Sequence, residues 1–354
     1  MSVDPVGLLR GLVETRSLSG QEQAAVAYLV DRMRALGMDA RIDEAGNAVG
    51  VRRGSGSVTQ EIVLLGHIDT VPGDVPVRVQ DGCLYGRGTV DAKGPLATFV
   101  FAASQVDVQP GTRLVVIGAV EEEAATSKGA RHAANQYRPS MCIIGEPSGW
   151  DGVTLGYKGR LLIDYTLQQP MGHSAGEDGS VAGGAVAWWN ALIAHIAEIN
   201  AGRERLFDQV LANLSDICTE SDGLTNTAHM SVGLRLPPEF DSDALEHTAR
   251  QLAGQASLRC YGQEKAYQSN RQNELARAFN RVLREMGTQP HFKLKTGTSD
   301  MNVIGPRWDC PVVAYGPGDS RLDHTPDEHV VIDEYQKAVE VLEKVLLVVQ
   351  NVNT

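Results

Sequence analysis

Short apolar segments alternate with helix-patterned segments through the first 145 residues, and this alternation constrains the fold more than any other feature of the chain. The apolar segments are bounded by turn residues, which predicts strands, and the segments between them carry apolar residues at helical spacing. Such alternation favours an α/β architecture, a mixed, mostly parallel sheet with helices on both faces. Strands are expected at 38–44, 48–53, 61–65, 113–120 and 141–145, and helices at 6–14, 21–36 (with Ser19 as the N-cap), 93–106 and 128–137.

The pattern changes between residues 159 and 267. Two helices and three strands in this stretch suit one small sheet, which predicts an inserted α+β domain. The alternation returns after residue 273, so residues 1–158 and 268–354 are expected to form one α/β domain around the insert at 159–267. Strands are expected at 160–167, 227–236, 257–263 and 311–315, and helices at 181–199, 243–253, 274–286 and 334–349.

The composition argues against several classes of protein. Forty-four acidic residues against 32 basic ones give the 354-residue chain a net charge of −12, whereas a nucleic-acid partner favours a basic surface. No apolar run approaches the ~18 residues of a membrane-spanning helix. The five cysteines form no CxxC pair, which excludes a cysteine zinc knuckle and a CxxC redox motif. Unpaired thiols without a secretory signal pattern predict a reducing, cytoplasmic location.

A histidine stands just beyond the buried strand predicted at 61–65, and an aspartate follows it two residues later. Residues i and i+2 of an extended segment point to the same side, so the Asp69 carboxylate can reach one ring nitrogen of His67. In metalloenzymes this arrangement fixes the tautomer of a metal-ligating histidine. The alternative is a structural histidine that caps a turn at the strand end.

Carboxylates stand at comparable places elsewhere in the chain. Asp91 lies in a glycine-rich loop ahead of a predicted helix, the triplet Glu121–Glu123 and Glu146 each follow an apolar strand, and His324 belongs to the polar run at 323–328. Because ligands bind at the carboxyl ends of parallel strands, this set predicts a site for a borderline divalent metal such as zinc. Considered singly, Asp91 could equally be a helix N-cap and the acidic triplet a solvated loop.

One further histidine, His173, lies in a loop of small residues at 171–176, within the predicted insert, and is expected to be functional. Of the remaining histidines, four have no companion acids in a recognisable pattern, whereas His229 and His291 lie in strand-like stretches. All six are expected to be structural or surface residues, namely His132, His195, His229, His247, His291 and His329.

Five motifs, in this order, resemble those of the dinuclear-zinc aminoacylase and carboxypeptidase family: GHIDTVPG (66–73), GRGTVDAKG (86–94), the acidic triplet, GEPS (145–148) and DHTPDE (323–328). The family includes acetylornithine deacetylase, succinyl-diaminopimelate desuccinylase and carboxypeptidase G. Other segments resemble its branch of hydrolases that release lysine or ornithine from an amino-group carrier protein, namely VEEEAATSK (120–128), GYKGR (156–160), GTSDMNV (297–303) and AYGPGDS (314–320). The resemblance implies a zinc-peptidase-like catalytic domain and a lid or dimerisation domain within the boundaries given above.

The resemblance also implies two divalent metals per chain, zinc or cobalt, and a role for each candidate ligand. Asp91 corresponds to the carboxylate that bridges both metals, and the peptide bond after it is often cis in the family. Glu122 corresponds to the catalytic base, and Asp69 to the residue that orients His67. An alternative register places the base at Glu121 and a ligand at Glu122. The remaining ligands correspond to His67 and Glu146 on the first metal and to Glu123 and His324 on the second.

In the insert, the resemblance implies that His173 reaches the active site of a partner subunit in a homodimer. The strand at 160–167 and the helix at 181–199, with Trp188 and Trp189, are expected to supply a sheet edge and an apolar face for that contact. Positions near the substrate correspond to Asn226, Arg235, Thr298, Ser299 and Asp300.

The implied function is metal-dependent hydrolysis of an amide bond, which releases lysine or ornithine from an N-acyl form. In the branch that the chain resembles, the amino acid is attached to a carrier protein, and an acidic carrier needs a local basic patch. Candidates for that patch are Lys158, Arg160, Lys293, Lys295 and Arg307. The alternatives are deacetylation of N-acetyl-lysine or N-acetyl-ornithine, hydrolysis of dipeptides, and metal binding without catalysis, which leaves a free carboxylate beside the ligands without a role.

Overall fold

The computed structural model describes residues 4–172 and 180–351. Its α-helices are α1 (Pro5–Glu14), α2 (Gln23–Ala35), α3 (Lys93–Gln105), α4 (Lys128–Gln136), α5 (Val181–Asn200), α6 (Ser242–Ala253), α7 (Glu274–Glu285), α8 (Asp300–Ile304) and α9 (Ile332–Gln350). Its strands are β1 (Asp39–Ile42), β2 (Ala48–Arg53), β3 (Gln60–His67), β4 (Arg78–Gln80), β5 (Cys83–Tyr85), β6 (Thr112–Ala119), β7 (Met141–Gly145), β8 (Gly152–Tyr157), β9 (Gly159–Pro170), β10 (Leu211–Ser221), β11 (Thr225–Leu236), β12 (Ser257–Glu264), β13 (Tyr267–Gln268), β14 (His291–Lys295), β15 (Val312–Tyr315) and β16 (His329–Val331).

The chain divides into two compact units. The first comprises Met1–Gly156, Gln268–Leu294 and Ser299–Thr354, and the second comprises Tyr157–Tyr267 and Lys295–Thr298. No helix in the described ranges is both long enough and apolar enough to cross a membrane.

A nine-stranded sheet forms the centre of the first unit, in the order β1-β2-β6-β3-β7-β15-β8-β13, with β14 beside β8. The strands β6, β3, β7 and β15 run parallel, whereas β1, β2 and β8 join antiparallel to their neighbours. A three-stranded sheet, β16-β5-β4, lies in the same unit. The predicted mixed, mostly parallel sheet is therefore confirmed.

Both faces of this sheet are covered, as continuous apolar strands require. All eight residues of β3 are buried. Ile62 and Leu64 belong to the main core with residues of α1, α2, α3, α7 and α9. Val63 and Leu65 point to the opposite face and are also fully buried, and α4 and α8 pack against strands of the same sheet.

The second unit is built on an antiparallel four-stranded sheet in the order β10-β11-β9-β12. Burial alternates along β9, so one face packs on a core that includes residues of α5 and α6. Trp188 lies inside this core, where its ring stacks on Tyr165 and its indole N–H donates to the Ala249 carbonyl. The predicted inserted α+β architecture is confirmed.

Three local predictions were wrong. The helix expected at 21–36 begins at Gln23, and Ser19 does not cap it, because its hydroxyl donates to Asp69 instead. The strand expected to offer a sheet edge, β9, is central, and β10 lies at the edge. Trp188 is not an exposed apolar contact, because packing within its own unit buries it.

Candidate metal centre

Three parallel strands deliver candidate ligands to one edge of the large sheet. The register aligns Gly66 of β3 with Gly118 of β6 and with Gly145 of β7. His67 is the last residue of β3. The acidic triplet begins two residues after the end of β6, and Glu146 follows β7 directly. The carboxyl edge of the sheet thus collects these side chains, as the sequence predicts for an α/β protein.

Asp91 reaches the same edge because α3 packs closely on the sheet. A Cβ atom at Gly145 would lie 2.9 Å from the Gly66 Cα and 3.1 Å from the Phe99 ring of α3, so only glycine permits this approach. Asp91 is not the N-cap of α3, since Ala92 occupies that position, and the Asp91–Ala92 peptide bond is cis.

The Asp91 carboxylate lies between two histidines. Its Oδ1 is 3.1 Å from Nε2 of His67, and its Oδ2 is 3.0 Å from Nε2 of His324. His324 Nε2 also lies 3.0 Å from Oε1 of Glu123. Within the described ranges, ligand atoms of His67, Asp91 and Glu123 approach one another to within 4.8 Å, a spacing that suits a metal ion.

Asp69 fixes the orientation of the His67 ring through the ring nitrogen Nδ1. Its Nδ1 is 3.0 Å from the backbone carbonyl oxygen of Asp69 and 3.5 Å from the Asp69 carboxylate. A carbonyl oxygen only accepts, so Nδ1 carries a proton, and Nε2 is the ring nitrogen that faces Asp91 and is left for a metal ion. Ligating histidines are commonly held by such a hydrogen bond.

Asp69 also holds the acidic triplet. Its fully buried carboxylate accepts hydrogen bonds from the backbone N–H groups of Glu122 and Glu123, both at 3.1 Å, and from the Ser19 hydroxyl at 2.6 Å. These bonds and the one to His67 outweigh the effect of burial and lower the pKa of Asp69. Asp69 is therefore an ionised acceptor that connects β3 to the loop after β6.

The three acids of the triplet face different surroundings. Glu121 has a left-handed backbone (φ 59°), and its carboxylate accepts a hydrogen bond from Thr126 and lies 3.5 Å from Lys128. Glu123 contacts His324. Glu122 lies within electrostatic range of His67, and burial raises its pKa well above the usual range, an effect that His67 opposes and nearby carboxylates reinforce.

The remaining pKa shifts describe a crowded cluster of charges. The two histidines lower the pKa of Asp91 despite its burial. Burial and the neighbouring Asp91 raise the pKa of Glu123, whereas hydrogen bonds with Asp91 and Glu123 raise the pKa of His324 to about 10. Burial disfavours the charged form of His67, but its bonds to Asp69 and Asp91 prevail and raise its pKa.

This donor set fits a borderline divalent cation. Imidazole nitrogens and carboxylate oxygens are ligands that zinc accepts, and no cysteine is needed. Burial, and after it repulsion from neighbouring carboxylates, raises the pKa of Glu122 and of Glu123. A bound cation would relieve that repulsion.

The other predicted site residues fall in both units. In the first, Glu146 is buried, Ser299 caps α8, and the charge of Asp300 adds to the raised pKa of Glu122. In the second, the Thr298 hydroxyl accepts a hydrogen bond from Arg235 at 2.7 Å, and Asn226 pairs with Gln169 across β11 and β9. His173 lies outside the described residues. The histidines expected to be structural or surface residues contact neighbours within their own units, as in the pairs His132–Glu44, His195–Glu198, His229–Glu220, His247–Gln251, His291–Asp151 and His329–Tyr85.

Three residues at the centre were not predicted from sequence. Ser19 donates to Asp69, and Glu22 accepts a hydrogen bond from the backbone N–H of Glu121. Glu328 accepts hydrogen bonds from the backbone N–H groups of Gly88, Val90 and Asp91. The only sequence signal for Glu328 is its place in the motif that contains His324.

The sequence pattern of "Peptidase family M20/M25/M40" matches residues 63–348. A "LysW-lysine hydrolase" of Deinococcus radiodurans is 49% identical over 347 residues, which cover 96% of this chain and 95% of the relative. A protein of Thermococcus kodakarensis, provisionally named a "LysW-lysine/LysW-ornithine hydrolase", is 40% identical over 350 residues, which cover 98% and 92% of the two chains.

Among solved structures, an M20 family metallo-carboxypeptidase from Sulfolobus solfataricus is similar to this chain, with a TM-score of 0.78. The alignment covers 97% of this chain and 98% of the other at 18% sequence identity. At that level of identity the likeness shows the fold alone.

Proposed function

The chain belongs to peptidase family M20/M25/M40 and is a metal-dependent hydrolase of amide bonds; from this premise we propose that it releases lysine from an N-acyl form carried by an acidic amino-group carrier protein. The catalytic part of this proposal rests on Glu122, a half-buried carboxylate within electrostatic range of His67. The substrate follows from the relative named a LysW-lysine hydrolase, because the similarity extends over nearly the whole of both chains.

We propose that the centre holds two divalent ions, with zinc as the ion best suited to the donor set and cobalt as the alternative. One would be held by His67, Asp91 and Glu146, and the other by Asp91, Glu123 and His324. The two Asp91 oxygens, each facing a different histidine, support a bridging role. When bound, such a pair polarises a carbonyl group and lowers the pKa of water.

Glu122 is the proposed base. It accepts a proton from the attacking water and returns it to the leaving amine, for which a raised carboxylate pKa is suited. The competing register, with Glu121 as base and Glu122 as ligand, is disfavoured because Glu121 is engaged with Thr126 and Lys128. The position of Glu123 against His324 supports the same assignment.

The first unit is the proposed catalytic domain and the second the proposed lid, with substrate contacts from Asn226, Arg235, Thr298, Ser299 and Asp300. We also propose a homodimer in which His173 enters the partner's site and donates to the developing oxyanion. Edge strand β10, with exposed Ile217, and the exposed Val186 and Ile193 of α5 offer surface for a partner. Five free cysteines are consistent with the cytoplasm as the proposed location.

The test compares carrier-linked lysine, N-acetyl-lysine, N-acetyl-ornithine and a dipeptide as substrates for one zinc- or cobalt-loaded preparation. Carrier-linked lysine is expected to have the highest kcat/KM. The Glu122→Gln variant, loaded identically, controls for contaminating hydrolases. Turnover of an acetylated amino acid or dipeptide without turnover of carrier-linked lysine would contradict the proposed substrate.

A further inference from the structure

Glu328 supplies a buried carboxylate to the loop that precedes Asp91. Its side chain has 0% exposure. Its Oε1 accepts hydrogen bonds from the backbone N–H groups of Gly88, Val90 and Asp91 at 2.9, 3.0 and 3.1 Å. Its Oε2 accepts a hydrogen bond from Nη1 of Arg87 at 2.7 Å. Both oxygens are therefore committed to one short stretch of chain.

The loop is shaped to receive this carboxylate. Gly86 and Gly88 have φ values of 152° and 88°, which side chains other than glycine rarely adopt. Successive N–H groups that converge in this way form a nest for an anion, and here the anion is Glu328. Without it, three N–H groups lose this acceptor and the largely buried Arg87 guanidinium keeps, among the described residues, only the Gly73 carbonyl as acceptor, which is unfavourable in the interior.

The segment that carries Glu328 also carries His324. The Glu328 backbone carbonyl accepts a hydrogen bond from the Gly86 N–H at 3.2 Å, and β16, which begins at the next residue, pairs with β5. His324 Nε2 contacts the Asp91 carboxylate. Asp91 is therefore held at two points by the segment 324–328, at its main chain by Glu328 and at its side chain by His324.

We propose that Glu328 is a positioning residue for the metal centre, which fixes the main chain at Asp91 so that each Asp91 oxygen faces one histidine. The inference rests on the proposed function of the site. The Asp91 carboxylate contacts both His67 and His324. A shift of its main chain would therefore weaken metal binding by both sets of ligands together. Mutation of a residue that supports a metal ligand typically lowers metal affinity by about 10–100-fold.

The experiment measures the zinc affinity of metal-free protein by competition with a chromophoric chelator. In Glu328→Gln the side chain keeps its size but loses its charge, so its neutral oxygen accepts more weakly from the three N–H groups, and its NH₂ group cannot accept from Arg87. We expect zinc to bind 10–100-fold more weakly than to the wild-type protein.

Glu61→Gln is the matched control. Glu61 is a buried acid paired with Arg113 near the start of β3, the end of the strand opposite His67. This variant loses an ion pair and stability but leaves the Asp91 loop intact, so zinc affinity should remain at the wild-type value. An equal loss of affinity in both variants would mean that Glu328 is only structural, and would overturn the proposal.

Glu328→Asp provides a second variant if the glutamine variant does not fold. It keeps the charge beside Arg87 but shortens the reach by one methylene, and it should also weaken zinc binding. Wild-type affinity in either folded variant would overturn the proposal. Turnover tests the proposed function separately: if wild-type protein binds zinc but hydrolyses none of the substrates, that function fails, while the affinities still decide the role of Glu328.

Discussion

The carboxylate of Asp69 accepts a hydrogen bond from the backbone N–H of Glu122 at 3.1 Å, across 53 residues of sequence. Asp69 also provides the backbone carbonyl to which His67 Nδ1 donates. One residue thus orients a proposed metal ligand and the chain that carries the proposed base. The geometry of the centre depends on this connection between two adjacent strands.

We expect Asp69→Asn to lower zinc affinity and kcat by 10–100-fold. The amide NH₂ group cannot accept the N–H that one carboxylate oxygen now receives, so the triplet loses part of its support. Zinc competition and steady-state kinetics would measure the two effects. Ser19→Ala removes a single donor from the same carboxylate and should have a smaller effect, whereas equal effects would argue against the connection to the triplet.

Glu122→Gln should abolish turnover while metal content stays near the wild-type value, because the amide cannot accept the proton from water. Glu121→Gln is the matched control, since Glu121 faces Thr126 and Lys128. It should keep kcat within a few-fold of the wild-type value. If Glu121→Gln abolishes turnover and Glu122→Gln loses metal, the assignment is shifted by one residue.

Lys93 gives a prediction for the pH dependence of stability. Burial lowers its pKa to about 8, against an unfolded value of 10.5, although Glu328 and Asp69 favour its charged form. Between these two values the unfolded chain binds more protons, so this group makes the free energy of unfolding rise with pH. From pH 7 to 9.5 the free energy of unfolding of the wild-type protein should rise, relative to that of Lys93→Met, by on the order of 2 kcal/mol.

Urea unfolding of both metal-free proteins at the two pH values measures this difference. The methionine variant lacks the hydrogen bonds from Lys93 to the Leu12 and Thr15 carbonyls, and this loss lowers its stability at both pH values. The prediction therefore concerns how the difference in free energy of unfolding between the wild-type protein and Lys93→Met changes with pH. A difference that stays constant or shrinks would show that Lys93 remains fully charged in the folded state.

The proposed role of His173 can be tested by complementation. His173→Ala should lower kcat by roughly 10²–10³ without loss of metal, the effect expected for an oxyanion donor. After subunit exchange with Glu122→Gln chains, a mixed dimer would contain one complete site, and activity should return. Demonstrated exchange without recovered activity would reject the cross-subunit role and leave the metal assignment intact.

Much of the centre could be predicted from sequence because its residues follow buried strands. His67, the acidic triplet and Glu146 lie beside one another once the strands are parallel and in register. The longer helices and most strands could be predicted for the same reason, since burial imposes a period on the sequence, but the five-residue helix α8 was missed. The strand β10 was missed because all eleven of its residues are exposed or half-buried, which removes that period.

The supporting contacts could not be predicted, because they join segments far apart in the chain. Glu328 receives the Gly88 N–H across 240 residues, and Ser19 reaches Asp69 across 50. In the sequence, Ser19 has the signature of a helix cap and Glu328 that of a polar turn. Only the tertiary structure shows which backbone N–H groups and side chains these residues contact.

The metal content of the chain after removal and return of zinc tests the central claim most directly. Two zinc ions per wild-type chain are expected, because Asp91 offers one oxygen toward each histidine. His324→Ala should retain one ion, because His67, Asp91 and Glu146 remain. A wild-type chain that binds at most one ion, with the same content in His324→Ala, would contradict the proposed dinuclear centre.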